Sequence, residues 1–285
     1  MARMAPSKRL PREPGRRREF VQGLERGFAV IQAFSRDSAT LTITDVAGRA
    51  RLTRAVARRY LLTLKELGYI AQVDRGFLLT PRVLDLGSAY LVNQAVAGVA
   101  QPFMEEAVEA LHESCSASVL DGRDVVYIAR VPAKRIMSVN LAVGSRLPAH
   151  CTSMGKVLLA ALPEDALAAF FDGPPLERRT GRTICEPKAL RKELEAIRAR
   201  GWAFANGESE DGVRTVAAPI VDRSGKVQAA INVSGHASRV SMKALRSLYL
   251  PVLLEAADGI SRALGGDPER PYGRAVARER PRLRR

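Results

Sequence analysis

Apolar side chains recur along this chain with periods that change from helical to strand-like and back, and those changes mark its elements. Between Phe20 and Phe34, Leu24, Phe28, Ile31 and Phe34 follow nearly the i, i+4, i+7 spacing of an amphipathic helix. In TLTITDVAGRARLTRAVARRYLLTLKELGYI the punctuation says more than the hydrophobicity. Thr44 before Asp45 offers a cap for a short helix ending near Ala50, and Thr53 offers the cap of a second. Helices joined by so few residues must cross steeply. The second is expected to reach Leu67 with Val56, Tyr60, Leu61, Leu64 and Leu67 inward, to end at Gly68, and to leave Arg54, Arg58 and Arg59 outward on its first half. YIAQV and FLLT then flank Asp74-Arg75-Gly76, which reads as a hairpin with Arg75 at its tip.

Beyond Pro81 the pattern predicts a helix over 81–99 with Val83, Leu84, Leu86, Tyr90 and Leu91 on a broad apolar face, and a further helix from Pro102 in PFMEEAVEALHES. SASVLDGRDVVYIARV reads as a hairpin turning at Asp121-Gly122, and MSVNLAV as another strand. A helix near Leu190 to Arg200, strands in TVAAPIVD and VQAAINVSG joined at Arg223-Ser224-Gly225, and a last helix from Met242 to Leu264 complete an α+β chain: a mixed sheet flanked by helices. The expected organisation is a tail (1–18), a winged helix-turn-helix domain (19–80), a helix (81–99), an α+β domain (100–264) and a second tail (265–285).

Charge sharpens this division. The 285 residues carry 45 Lys+Arg against 30 Asp+Glu. Residues 1–19 hold seven basic and two acidic side chains, 20–80 nine and five, 81–264 twenty-two and twenty, and 265–285 seven and three. The long middle is nearly neutral, while the excess lies in the N-terminal region and the tails, as expected where one end meets a polyanion. Only eight of the basic residues are Lys, and such Arg-rich, Ala-rich usage is also what a GC-rich genome produces. Both tails have little to bury and are expected to be disordered. No run approaches the roughly 20 apolar residues that span a bilayer, and the N-terminus lacks the apolar stretch of a secretory signal, so no membrane role and a cytoplasmic location are expected. Cys115, Cys151 and Cys185 lie far apart, and with three histidines they give no metal-ligand spacing; neither a metal nor a cofactor is expected.

A helix, a tight helix pair and a hairpin make a winged helix-turn-helix. Its second helix can place Thr53, Arg54, Arg58 and Arg59 in a major groove about 12 Å wide, while Arg75 reaches the flanking backbone. The plainer reading of these arginines is a solvated face, and a tri-helical unit can also bind proteins; the joint placement of the four favours double-stranded DNA.

LTRAVARRYLLTLKELGYI, VGSRLPAHCTSMGKVLLAALP and INVSGHASR together resemble the IclR family of bacterial transcriptional regulators, and within it the β-ketoadipate branch, over residues 20–265. The resemblance implies a GAF-like C-terminal sensor domain, a linker helix that pairs subunits, and assembly as a homodimer or dimer of dimers. It also implies an effector that is a small aromatic or dicarboxylic acid. Arg51 departs from the family pattern, because it stands in the turn where many members have Gly.

Within RLPAHCTSMGKVLLAAL, Thr152 and Ser153 precede an apolar helical run, where free N–H groups and the helix dipole can receive a carboxylate. Arg146 and Lys156 would add charge and His150 would bond a phenolic hydroxyl; Cys151, Met154 and Gly155 belong to the same segment. Asn232 and Ser234 alternate with apolar residues and so share a strand face that would meet the ligand. His236 and Arg239 follow at the expected rim, and Arg214 stands where the family tends to keep Arg. The alternatives are ordinary capping for Thr152 and Ser153, and backbone satisfaction for Asn232 and Ser234. His150 beside Cys151 does not read as a catalytic dyad, since neighbours on a strand or loop point apart and no supporting acid is identifiable. The chain is therefore expected to be a ligand-responsive, DNA-binding regulator and not an enzyme. Its rivals are a regulator whose C-terminal domain only dimerises and an enzyme carrying a basic adaptor.

Overall fold

The computed structural model describes residues 20–34, 39–87, 95–133, 141–269 and 272. The tail expected at 1–18 and most of that at 265–285, all but 265–269 and 272, lie outside the described residues. The chain divides into two compact units, Met1–Tyr90 and Leu91–Arg285.

In the first unit, α1 (Gln22–Gln32), α2 (Ile43–Ala50) and α3 (Arg54–Glu66) precede an antiparallel hairpin of β1 (Ile70–Val73) and β2 (Gly76–Leu79). Val30, Leu41, Val46, Ala57, Leu61, Leu64, Ile70 and Phe77 form its core. The winged helix-turn-helix read from the sequence is present. Its details differ in three places. The cap of α2 is Thr42, not Thr44: Thr42 accepts from the Asp45 amide and Asp45 accepts from the Thr42 amide, a reciprocal box that also draws the Asp45 pKa down. Leu24 and Phe28 are 62 % and 46 % exposed, because α1 turns Val30 inward instead. Leu67 lies at the C-cap of α3 and is exposed as well. Gly76 permits a close approach, since a Cβ there would strike the Thr40 side chain beside the Leu41–Phe77 bridge.

Arg51 adopts the left-handed conformation, φ 55° and ψ 44°, between α2 and α3. Leu52 N–H donates to Ala47 O at 2.9 Å and Arg51 N–H to Gly48 O at 3.3 Å, the pair of bonds that closes a helix end and normally favours glycine there.

The second unit is built on one six-stranded sheet. Its strands, β3 (Ser114–Asp121), β4 (Asp124–Val131), β5 (Arg146–Pro148), β6 (Ala203–Asn206), β7 (Val213–Val221) and β8 (Val227–His236), run in the order β5-β4-β3-β8-β7-β6. Every ladder is antiparallel, where a mixed sheet was expected; hairpins and a return of β8 beside β3 make every pairing without a parallel crossover. One face packs on α4 (Ala95–Leu111) and the final helix, whose last segment is Leu250–Ala263; Cys115, Ala117, Val216, Ile231 and Val233 fill that layer. The other face packs on α5 (Ser153–Ala160), α6 (Glu164–Phe171) and α7 (Pro187–Arg200) through Met154, Val157, Leu158, Phe170, Leu190 and Leu194.

The linker helix expected over 81–99 is a 3-10 turn at Pro81–Leu84 with helical residues to 87; positions 88–94 lie outside the described residues. From Ala95 the chain is helical through Pro102, where a break was expected. Val96, Ala100, Met104, Ala107 and Leu111 form one buried row along α4, and its burial outweighs the roughly 3 kcal/mol that an interior proline costs. The strand read in MSVNLAV falls at 137–140 outside the described residues, and 141–143 are not strand. The final helix begins at Met242 and passes through a π-turn at Leu245–Tyr249.

Candidate functional site

Two groups of side chains are candidates for function, one in each unit. In the first, Thr53 caps α3 by accepting from the Val56 amide at 3.3 Å, which fixes where the helix begins. Arg54, Arg58 and Arg59 project from its first turns into solvent, and Arg75 is exposed at the two-residue tip between Val73 and Gly76. Asp74 takes φ 51° to make that tip. An outward-facing helix end with a cationic wing is the arrangement the sequence suggested, and it suits a dispersed row of phosphates.

In the second unit the strand pleat sets a polar row on the α5 face of an otherwise apolar sheet. Ser234 pairs with Ser114 on one side and Thr215 on the other, and Asn232 pairs with Ser116 and Ala217. Asn232 is 5 % exposed, and its Oδ1 has no hydrogen-bond partner. Thr215 donates to Ser153 Oγ at 2.8 Å, so the first residue of α5 meets this row, and Ser118 donates to the Met154 sulfur at 3.2 Å. The structure thus brings Ser153, Met154, Asn232 and Ser234 together.

It disperses other expected members. Thr152 is the cap of α5 and accepts from the Gly155 amide at 3.1 Å. Gly155 cannot be larger, because a Cβ would fall on the Ala149 carbonyl oxygen and Cα. Thr152 thus satisfies one amide of the first turn of α5, and Ser153 at its start is 1 % exposed and faces Thr215. Lys156 lies in an ion pair with Glu208 at 2.7 Å, where burial pushes the Glu208 pKa up. Arg146 pairs with Asp121 at 2.7 Å and Asp124 at 3.3 Å on the outer hairpin. Arg214, on β7, donates to Asn206 Oδ1 of β6 at 2.9 Å and to the Val240 carbonyl at 2.6 Å, tying the sheet edge to the segment after β8. His236 is exposed and bonded to Ser238 at 2.7 Å, and Arg239 pairs with Glu113 at 3.3 Å.

His150 donates from Nε2 to the Glu177 carbonyl at 2.9 Å, and burial lowers its pKa. Cys151 is buried, its thiol pKa pushed up to about 12 and its Sγ directed at the Pro148 carbonyl. That is the setting of a packed thiol, not a nucleophile. Among the described residues no three His, Cys, Asp or Glu side chains are grouped to hold a metal, and no helix is long and apolar enough to cross a membrane.

Sequence reasoning missed Ser114, Ser116, Thr215 and Arg130. The serines carried a signal, since SCSAS alternates Ser with small apolar residues over a strand. Arg130 carried none. Alternation counted from Tyr127 puts Ala129 on the α5 face, but β4 bulges opposite Ala117/Ser118: Ala117 pairs with Ala129 and Ser118 with Tyr127. Ile128 and Ala129 both join the α4 layer, and Arg130 turns to the α5 face, donating to Ser116 Oγ at 3.1 Å.

Comparison with known proteins gives a consistent result. Residues 23–74 match the family described as IclR helix-turn-helix domain, and residues 88–262 match Bacterial transcriptional regulator IclR C-terminal. The Pca regulon regulatory protein of Pseudomonas putida is 42 % identical over 263 residues, covering 92 % of this chain and 90 % of that protein. The crystal structure of a putative transcriptional regulator from Rhodococcus sp. has a TM-score of 0.78 at 47 % identity, over 86 % of this chain and 98 % of that one. An IclR homologue from Microbacterium hydrocarbonoxydans, crystallised with 4-hydroxybenzoate, has a TM-score of 0.75 at 26 % identity, over 85 % of this chain and 99 % of that one.

Proposed function

The chain belongs to the IclR family of bacterial transcriptional regulators, and on that footing we propose that it regulates genes of aromatic-acid catabolism by binding a small aromatic acid on the polar face of its C-terminal sheet. The single observation that carries this reading is the buried, unpartnered Asn232 Oδ1 within the row formed by Ser114, Ser116, Thr215 and Ser234. A buried acceptor without a donor costs about 1–3 kcal/mol, a cost a ligand hydroxyl removes. The names of the Pseudomonas relative and the 4-hydroxybenzoate complex support the ligand class.

Ser153, Asn232 and Ser234 line this site, with Thr152, Met154 and Gly155 shaping the helix above it. Arg54, Arg58, Arg59 and Arg75 contact operator DNA, with Thr53 fixing the helix start. The protein acts as a homodimer or dimer of dimers. Phe20, Val21, Leu24 and Phe28 form an exposed apolar strip on and before α1, and Leu84 and Leu86 are exposed beyond the hairpin, surfaces of the kind that pairing between copies covers. The effector shifts the balance between two arrangements of the paired DNA-binding units by the difference in its affinity for them.

Isothermal titration of the full chain with a panel of aromatic acids tests the reading. Saturable heat without turnover is expected, together with an effector-dependent change in operator affinity by gel shift. A flat titration across the panel would leave the C-terminal unit as a dimerisation module.

A further inference from the structure

The chain leaves the hairpin of the first unit against the end of the helix assigned to DNA. α3 is closed by Gly68 in the left-handed conformation, φ 81°, with the Gly68 N–H donating to the Lys65 carbonyl at 3.0 Å and the Tyr69 N–H to the Leu64 carbonyl at 2.9 Å. The carbonyls of the same two residues are taken by Thr80, which follows β2. Its N–H donates to the Tyr69 carbonyl at 2.9 Å and its Oγ1 to the Gly68 carbonyl at 2.6 Å. Pro81 then opens the 3-10 turn, in which the Val83 N–H donates to the Thr80 carbonyl at 3.2 Å.

Arg82 fastens this turn from outside. Its guanidinium lies over the Tyr69 ring, Cζ 5.4 Å from the centroid, and against Gly68, where a Cβ would come within 3.0 Å of Nη1. Tyr69 packs in turn on the core that carries α3. The exit segment and the end of α3 therefore share one pair of residues. Arg82 is itself exposed, and an exposed cation over a ring shifts an equilibrium by only about two- to fivefold, so the contact matters for direction more than for stability. Two residues further on, Leu84 is 74 % exposed and Leu86 48 %, the apolar positions assigned above to pairing between copies. In a pair joined there, the direction in which the segment leaves α3 sets the distance and angle between the two reading helices. Paired half-sites lie about one helical turn or a multiple apart, and one added base pair moves them by about 3.4 Å and about a tenth of a turn.

We propose that Arg82 is a positioning residue for operator recognition: stacked on Tyr69 and seated on Gly68, it fixes the angle between α3 and the exit segment, and so the half-site spacing that the paired protein accepts. This rests on the DNA and pairing readings above. In this role Arg82 needs no contact with DNA.

The test begins with the full wild-type chain selecting its operator from random-sequence duplexes. Gel shifts then compare that operator with versions lengthened by one and two base pairs between the half-sites, with a single half-site and with unrelated DNA. The wild type is expected to prefer the selected spacing. Arg82→Gln should melt near wild type and lower that preference about 3- to 10-fold, the scale of one stacked cation lost in each of two copies, while binding the single half-site and unrelated DNA within about twofold of wild type. Tyr69→Phe keeps the ring and should keep the preference, and Arg82→Lys keeps the cation and should retain part of it. An unchanged preference in Arg82→Gln overturns the proposal, as does an equal loss on every duplex, which would make Arg82 a phosphate contact. A wild type indifferent to spacing, or one that selects a single unpaired site, overturns it too. A wild type that selects no sequence removes the DNA reading itself and the proposal with it, an outcome distinct from an unchanged preference in the variants.

Discussion

The two units treat charge in opposite ways. In the first, Arg54, Arg58, Arg59 and Arg75 stand in solvent over a small apolar core, whereas in the second Lys156, Glu208, Arg130 and Asn232 are carried into or beside the interior. On the proposed function the difference suits the partner each unit meets. A phosphate backbone is long and hydrated, and it is gripped by exposed cations that release counterions. A small acid is gripped by a few groups shielded from water, where each hydrogen bond is stronger and each missing partner is expensive. The outward charges of the first unit should therefore govern affinity with little effect on stability, whereas the inward groups of the second should divide, the buried ion pair governing stability and Asn232 governing ligand affinity.

The largest effect is expected where a charge is buried as half of a pair. Lys156→Met leaves Glu208 without its cation, and breaking such a pair costs about 3–5 kcal/mol. The pH dependence has a definite sign. Burial raises the Glu208 pKa in the folded state, so the folded form holds its proton more tightly than the unfolded chain, and stability is lost as pH rises through the folded value. Removing Lys156 raises that pKa further. Denaturant unfolding should therefore show a deficit in Lys156→Met that is greatest near pH 8 and shrinks on acidification toward pH 5; a pH-independent deficit would mean that packing alone is lost.

Neighbouring residues on β8 sharpen the contrast within the second unit. Ile231 is fully buried in the α4 layer, and Ile231→Ala should cost about 2–5 kcal/mol of stability. Asn232, one residue on, faces the other way with an oxygen that has no partner. Asn232→Ala should melt close to wild type yet weaken a hydroxybenzoate by about 1–2 kcal/mol, as one hydrogen bond is worth. Thermal melts and calorimetry on the two variants check both halves, and a large stability loss in Asn232→Ala would return this residue to the role of backbone support.

In the first unit the expected effects appear in DNA binding only. Arg58→Ala should weaken operator binding by about 1–3 kcal/mol if its guanidinium meets a base edge, while Arg75→Ala at the wing should weaken all sequences alike and flatten the salt dependence. Gel-shift titrations against operator and unrelated DNA at two salt concentrations separate them. Either variant unfolding at lower denaturant would break the division between the units.

Much of this was legible in the sequence, and the failures share one cause. The helix pair, the wing, the hairpins and the pairing of Ser153 with Asn232 and Ser234 came from spacing and capping, which are local properties. What misled was any feature whose outcome depends on packing elsewhere. A new helix reads from Pro102, yet one helix runs through it on a buried row along α4; Leu24 and Phe28 read as part of an apolar helix face, yet α1 turns Val30 inward; Arg146 and Lys156 read as pocket charges and are captured by carboxylates distant in sequence. Arg130 was hidden by a bulge that period-two counting cannot detect.

Arg51 gives the smallest and most discriminating measurement, because in it local strain and outward charge meet at one residue. Its φ of 55° is a conformation that glycine adopts freely and other residues adopt at a cost of about 1 kcal/mol. Arg51→Gly should relieve that strain and stabilise the first unit by about that amount, which corresponds to roughly fivefold slower exchange of its most protected amides. The side chain is exposed beside the start of α3, so the same change removes a cation from the face assigned to DNA. Operator affinity should then fall slightly while stability rises. Hydrogen exchange and gel shift on one variant read the two quantities independently. If both rose together, the exposed cation would have no part in binding, and the assignment of this face to DNA would have to shift toward Arg58, Arg59 and the wing.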